Sequence, residues 1–149
     1  MAYKNVDAEV LGYLGRALSM EMSAVQQYLT LSRLLRLRGF DDIATHFHQE
    51  ANEEFAHADR IIGRMLVLGA APNMTQLRPA RLGESLPEVM ASAQELEQDI
   101  VSLYQKAVTH CHSINDFDNH LFFDALLKEE QQHASSLANW QQKFLNNHN

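Results

Sequence analysis

Between Gly69 and Ser85 the chain reads GAAPNMTQLRPARLGES, seventeen residues with two prolines and no helical period. The chain on either side of this stretch is strongly helical in pattern, so this segment decides which topologies remain open. From Val6 to Arg38 no proline occurs and apolar residues recur at alternating spacings of three and four, which predicts a first helix, α1. Gly39 suits a left-handed helix end, and Asp41 or Asp42 can cap a second helix, α2, running from about Asp42 to Leu68 and stopping at Gly69. A third helix, α3, is expected from near Pro87, capped by Ser85, to about Ser113. SINDFD marks the next turn, and a fourth helix, α4, follows from about Asp116 to Leu145. Seventeen extended residues reach about 55–60 Å, enough to run the length of a bundle of helices roughly 40 Å long. A bundle wound up-down-up-down on short loops has no use for so long a connection. Short turns within two hairpins and one long crossover between them specify an all-α four-helix bundle.

The faces these helices would bury are not uniformly apolar. The stripe of α1 steps through Leu11, Leu14, Leu18, Glu21, Val25, Tyr28, Ser32 and Leu35, and that of α2 through Ile43, Phe47, Glu50, Glu54, His57, Ile61 and Leu68. On α3 it runs Met90, Ala93, Glu97, Ile100, Tyr104, Ala107 and Cys111. On α4 it runs Phe123, Leu126, Glu130, His133, Leu137, Trp140 and Phe144. Each stripe is interrupted near its middle by glutamate, and on α2 and α4 a histidine follows three residues later.

One Glu-x-x-His pair carries little weight, since eleven glutamates and eight histidines give about 0.6 such pairs by chance. A single glutamate in a stripe more often sits at its edge with the carboxylate in water. The register is what counts. Glu54 follows Glu21 by 33 residues, Glu130 follows Glu97 by 33, and Tyr28 and Tyr104 each stand seven residues past the first-helix glutamate. Both hairpins thus carry the same device at the same depth.

Four carboxylates meeting inside a bundle each face a desolvation penalty of several kcal/mol and repel one another besides. No lysine or arginine occupies a mid-stripe position to neutralise them; Arg64 is two turns below His57. Two divalent cations remove the difficulty, because four carboxylates balance four positive charges and two neutral imidazoles complete the ligand set. The inventory is that of a carboxylate-bridged dinuclear site, one glutamate from each of two helices and Glu-x-x-His from each of the other two. Oxygen-rich ligation with one imidazole per metal suits iron or manganese better than zinc.

At these residues the chain resembles the bacterioferritin family, whose fold is a ferritin-like four-helix bundle. The resemblance rests on EMSAVQQY with Glu21 and Tyr28, EEFAHADRIIGRMLVLGAAPNM with Glu54 and His57, LEQD with Glu97, and KEEQQH with Glu130 and His133. It runs from about residue 6 to 140. It implies a ferroxidase that oxidises Fe²⁺ to Fe³⁺ with dioxygen or peroxide and serves iron storage or detoxification, with two iron ions per subunit. Glu54 and Glu130 would bridge the metals, Glu21 with His57 would bind one iron, and Glu97 with His133 the other. Tyr28 would lie beside the centre as a candidate electron donor, and Glu50 and Glu53 are weaker candidates for passing iron inward, read equally well as solvated helix charge.

Two departures from the family pattern stand out. The family's haem is held between two subunits by a methionine directly after the α2 bridging glutamate. Here that position is Phe55, which cannot ligate iron, so haem held in the family's way is not expected and haem on another ligand stays open; Met22 and His48 are read as packing or surface residues. Only sixteen residues follow His133, where the family has a further short helix lining the channels of a 24-subunit shell. A homo-oligomer is expected, at least a dimer, with the larger shell, smaller, altered or of the usual size, left open. His46, His110, His112, His120 and His148 have no matched spacing and are read as surface residues.

Bulk properties agree with this picture and set its limits. A chain of 149 residues, 46% hydrophobic and 21% charged, is expected to form one globular domain. A formal charge of −7 argues against nucleic acid as a partner and favours cations. The one cysteine, Cys111, excludes an internal disulfide and any metal site built on paired cysteines. No apolar run is long enough for a signal peptide or a membrane span, so a cytoplasmic protein is expected. Two other readings share the doubled motif. One is a peroxide reductase of the rubrerythrin kind, although those carry a four-cysteine electron-transfer domain. The other is a non-catalytic dimer that binds iron, manganese or haem.

Overall fold

In the computed structural model, which describes residues 6–74 and 76–147, the four expected helices are α1 (Ala8–Leu37), α2 (Asp41–Val67), α3 (Leu86–Ser113) and α4 (Phe117–Asn147). Their ends follow local chemistry. The Asp7 carboxylate accepts from the amides of Glu9 and Val10 and opens α1. Ser85 Oγ accepts from the Glu88 amide and opens α3, with Pro87 in the first turn. Neither Asp41 nor Asp42 caps α2: the cap position is Phe40, without a side-chain bond, and both aspartates lie in the first turn. There they act on the helix dipole instead of on a single amide. Gly39, at φ +85°, turns α1 into α2, and Asn115, at φ +59°, does the same between α3 and α4.

The hairpins α1–α2 and α3–α4 are closely packed, and α1 rests against α3, whereas α2 and α4, though also neighbours, are the most widely spaced of these four adjoining pairs. That wide seam is spanned by long polar side chains, a point that matters below. The crossover is pinned to α1 and so passes from the far end of α2 to the start of α3. Gln27 Nε2 donates to the Arg81 carbonyl at 2.8 Å, the Arg81 amide donates back to Gln27 Oε1 at 2.6 Å, and the Arg78 amide donates to Ser23 Oγ at 2.9 Å. Arg38 Nη1 reaches the Gly83 carbonyl at 3.1 Å where the crossover ends.

Every stripe position of α3 is buried, as are Leu14, Leu18, Leu35, Ile43, Phe47, Ile61, Phe123, Leu126 and Leu137. Leu11 and Val25 are only partly buried; Val10, Ala17, Ala24 and Leu31 fill the core beside them. Apolar layers thus close the bundle above and below one polar layer. Among the described residues no helix is long and apolar enough to cross a membrane.

Candidate metal centre

The polar layer is made of Glu21, Glu54, Glu97 and Glu130, one from each helix, with His57 and His133, all buried. Each glutamate sits in register with leucine, isoleucine and alanine of its own stripe, so packing of those neighbours fixes where it points. The six side chains converge. Ligand atoms of Glu21, Glu54, His57 and Glu130 lie within 4.8 Å of one another, and a second group is formed by Glu50, Glu54, Glu97 and His133. Glu54 belongs to both.

His57 Nδ1 stands 2.8 Å from Glu130 Oε1, 3.4 Å from Glu21 Oε1 and 3.5 Å from Glu54 Oε1. His133 Nδ1 stands 2.8 Å from Glu54 Oε1, 3.1 Å from Glu50 Oε2 and 3.5 Å from Glu130 Oε2. The two rings lie nearly parallel, their centroids 5.6 Å apart. Both therefore present Nδ1 to the centre. Tyr28 Oη donates to Glu97 Oε1, and Tyr104 Oη donates to Glu21 Oε1 at 2.7 Å. Each tyrosine serves the first-helix glutamate of the opposite hairpin.

Around this layer Glu21 Oε2, Glu50 Oε2, both oxygens of Glu54, Glu97 Oε2, Glu130 Oε2 and His133 Nδ1 are buried without a hydrogen-bond partner. The 2.8 Å between His133 Nδ1 and Glu54 lacks the angle of a hydrogen bond; the two atoms face a common space instead. A buried polar atom left unpaired costs about 1–3 kcal/mol, more when charged, so seven in one place mark a set of donors that is completed by something else. Cations of radius and charge suited to oxygen and imidazole fit that requirement.

The protonation pattern follows from the same crowding. Burial and the nearby Glu130 charge push the Glu21 carboxyl up to about 7. Burial likewise raises Glu50 to about 7, and burial with neighbouring carboxylates raises Glu54 and Glu97. Glu130 goes the other way: burial would raise it, but the closeness of His133 and His57, with the Glu97 and Glu21 carboxyls beside it, holds it lowered. Burial opposes charge on His57, yet its hydrogen bond to Glu130 and the nearby Glu21 carboxylate lift it to about 10, and Glu130 lifts His133 as well. Without metal the centre balances its charge with protons, and the protons sit where cations would.

Several residues fall differently from the sequence reading. Glu50 is no solvated helix charge: it is buried and faces His133. His46 is not a surface residue; it is largely buried, with Nε2 at 3.7 Å from Glu50 Oε1 and its ring 5.5 Å from that of Trp140. A position four residues before a central glutamate was the available signal for Glu50. Tyr104, matched with Tyr28 in sequence, shares its role as a donor to a buried carboxylate. His110 pairs with Asp7 at 2.8 Å and Glu9 at 3.1 Å; His48 is exposed, and His148 lies outside the described residues. Phe55, next to Glu54, is 59% exposed. Beside the two histidines the α2–α4 seam opens into a groove of about 450 Å³ lined by Glu50, Glu53, Arg60, Glu129 and Gln132.

Residues 11–145 match the ferritin family by its ferritin-like domain. The chain is 34% identical to the bacterioferritin of Rhodobacter capsulatus over 131 residues, 88% of this chain and 81% of that one. It is 31% identical to the bacterioferritin of Brucella melitensis over the same length, again covering 88% and 81%. Among solved structures, that of Rhodobacter capsulatus bacterioferritin, with a metal-free dinuclear site and a haem iron on a crystallographic special position, superposes with a TM-score of 0.86. It is 33% identical, and the match covers 91% of this chain and 85% of that one.

Proposed function

Since this chain belongs to the bacterioferritin family, we propose that it is a ferroxidase, taking two Fe²⁺ per chain as substrate and oxidising them to Fe³⁺ with dioxygen or peroxide for iron storage or detoxification. The observation that carries this reading is the set of unpaired, buried carboxylate oxygens and one imidazole nitrogen facing one another at mid-bundle. Each Fe²⁺ supplies one electron to the oxidant; everything else is asked of the protein. Glu54, common to both ligand groups, and Glu130, within 3.5 Å of both histidines, are assigned as the bridging carboxylates. Glu21 with His57 holds one ion and Glu97 with His133 the other.

Four carboxylates against two divalent ions make a neutral set; of the two positive charges added when both ions reach Fe³⁺, one is met by Glu50, which stands beside His133. Tyr104 and Tyr28 hold one oxygen each of Glu21 and Glu97, which leaves the second oxygen for metal. Tyr28 is further assigned as an electron donor. The groove beside the histidines gives ions a way in from solvent, while the apolar layers keep water from the rest of the centre. Haem ligated at the family's usual methionine position has no part in this reading, because the exposed Phe55 ring there offers only carbon. Exposed Leu29, Phe55, Leu66 and Leu121 supply apolar surface for assembly into at least a dimer.

Anaerobic titration with Fe²⁺ followed by oxygen tests the proposal. Two ions bound per chain and rapid oxidation are expected. Glu54→Ala abolishes oxidation while far-ultraviolet circular dichroism stays helical. Metal that binds but does not react would favour a binding protein, and undiminished turnover in Glu54→Ala would remove the site assignment.

A further inference from the structure

Both histidine motifs begin with a doubled glutamate, and the first of each pair has no place in the centre: Glu53 precedes Glu54 and Glu129 precedes Glu130. One residue earlier is a rotation of about 100° around the helix, which carries these side chains out of the polar layer and onto the α2–α4 seam. There each meets the histidine of the other helix. Glu53 Oε2, on α2, contacts His133 Nε2 on α4, and Glu129 Oε1, on α4, stands 3.8 Å from His57 Nε2 on α2. In both rings the inward nitrogen is Nδ1, so the outward one is the atom these glutamates face.

An imidazole that offers Nδ1 to a cation must keep its proton on Nε2. An acceptor outside the ring fixes that tautomer, sets the ring's rotation and raises its basicity. We infer that Glu53 is a positioning residue, holding His133 across the seam with Nδ1 turned to the centre. Glu129 is its weaker counterpart for His57, because Arg60 Nη1 binds Glu129 Oε2 at 2.7 Å and competes for it. The tyrosines follow the same rule, Tyr28 of α1 holding Glu97 of α3 and Tyr104 of α3 holding Glu21 of α1. Every terminal ligand is thus aimed by the opposite hairpin, and the centre acquires its geometry only when the hairpins are docked. The inference rests on the dinuclear reading above.

Zn²⁺, redox-inert and diamagnetic, separates positioning from turnover. The full-length protein, labelled with ¹⁵N-histidine, is titrated with Zn²⁺ and its imidazole resonances are followed. The wild type is expected to bind two Zn²⁺ per chain, with His133 metal-bound at Nδ1 and protonated at Nε2. Glu53, 55% exposed, can be replaced without touching the core. Glu53→Ala should weaken one of the two sites about 10- to 100-fold and shift the His133 resonances while leaving those of His57 in place. Glu53→Gln, which keeps an oxygen acceptor, should restore most of the affinity, and Glu129→Ala should have the smaller effect on His57.

Equal losses in Glu53→Ala and Glu53→Gln with unmoved His133 signals would mean that Glu53 contributes only charge, and would overturn the inference. Unchanged affinity in Glu53→Ala would overturn it too. A wild type that binds fewer than two Zn²⁺ per chain would instead remove the dinuclear reading, and the inference with it.

Discussion

Replacing Glu21 by glutamine should make the metal-free protein more stable above neutral pH while depriving it of metal. Glu21 is wholly buried, and its carboxyl is raised from 4.5 to about 7, by burial first and by the Glu130 charge second. A folded-state pKa above the unfolded one means that the folded chain holds the extra proton. Stability from this group is therefore full below about 4.5 and is lost as pH rises to about 7. At about 1.4 kcal/mol per pH unit, the loss at pH 8 is about 3 kcal/mol. Glutamine has nearly the same shape, still accepts the Tyr104 hydroxyl through its oxygen, and carries no charge to desolvate.

Glu21 also supports the charge on His57, so some of the gain is returned. A net stabilisation of about 2–3 kcal/mol is expected at pH 8, or about 5–10 °C in Tm for a chain of this length. At pH 5, where wild-type Glu21 is already protonated in the folded chain, the difference should shrink to under about 1 kcal/mol. Urea denaturation in the presence of a chelator, at pH 5 and pH 8 and fixed chain concentration, measures both. If Glu21→Gln is no more stable than wild type at pH 8, the carboxylate is not held at a cost, and the reason for placing a cation beside it disappears.

Metal uptake should release protons, because Glu21 and Glu50, raised to about 7, and His57, raised to about 10, must lose them to bind. Affinity for a divalent ion should rise steeply between pH 6 and pH 8, and proton release in weakly buffered solution should fall as pH is raised through that range. Gln27→Ala removes both side-chain bonds to Arg81 of the crossover; it should cost about 1–3 kcal/mol and speed amide hydrogen exchange in residues 76–84 more than in the helices.

The bundle was legible because its determinants are local and periodic. The proline-bearing segment from Gly69 to Ser85 set the topology, and the matched separations of Glu21 from Glu54 and Glu97 from Glu130 set the depth of the polar layer. What periodicity could not show is which way a residue at the edge of a stripe turns. Glu50 lies one helical turn from Glu54 and could equally have reached water; only the wide α2–α4 seam, with His133 across it, draws it inside. Glu53 and Glu129 are exposed enough to read as ordinary surface charge, and their contacts to histidine join residues 80 and 72 positions apart. The cap of α2 was misread because two aspartates look like caps in sequence, while the tight turn at Gly39 puts Phe40 in the cap position.

Although the two hairpins repeat one device, the centre they form is not symmetric, and the difference predicts which half loads first. Four residues before Glu54 is Glu50; four residues before Glu130 is Leu126, an apolar side chain in the core. The His133 half therefore has one carboxylate more than the His57 half, with Glu50 Oε2 unpaired and 3.1 Å from His133 Nδ1. At pH 8 Glu50 is above its pKa of about 7 and so is already ionised when a cation arrives. Two unit charges about 4 Å apart in a partly buried setting attract by about 4 kcal/mol, and a divalent ion by more, so even a third of that separates the two affinities about tenfold. Substoichiometric Zn²⁺ should accordingly shift the His133 resonances before those of His57. Glu50→Gln should bring the two transitions together, since it keeps the volume and removes the charge. If His57 responds first in the wild type, or if the order survives Glu50→Gln unchanged, the extra carboxylate is not what distinguishes the halves, and Glu50 belongs to the surface chemistry of the groove instead of to the metal centre.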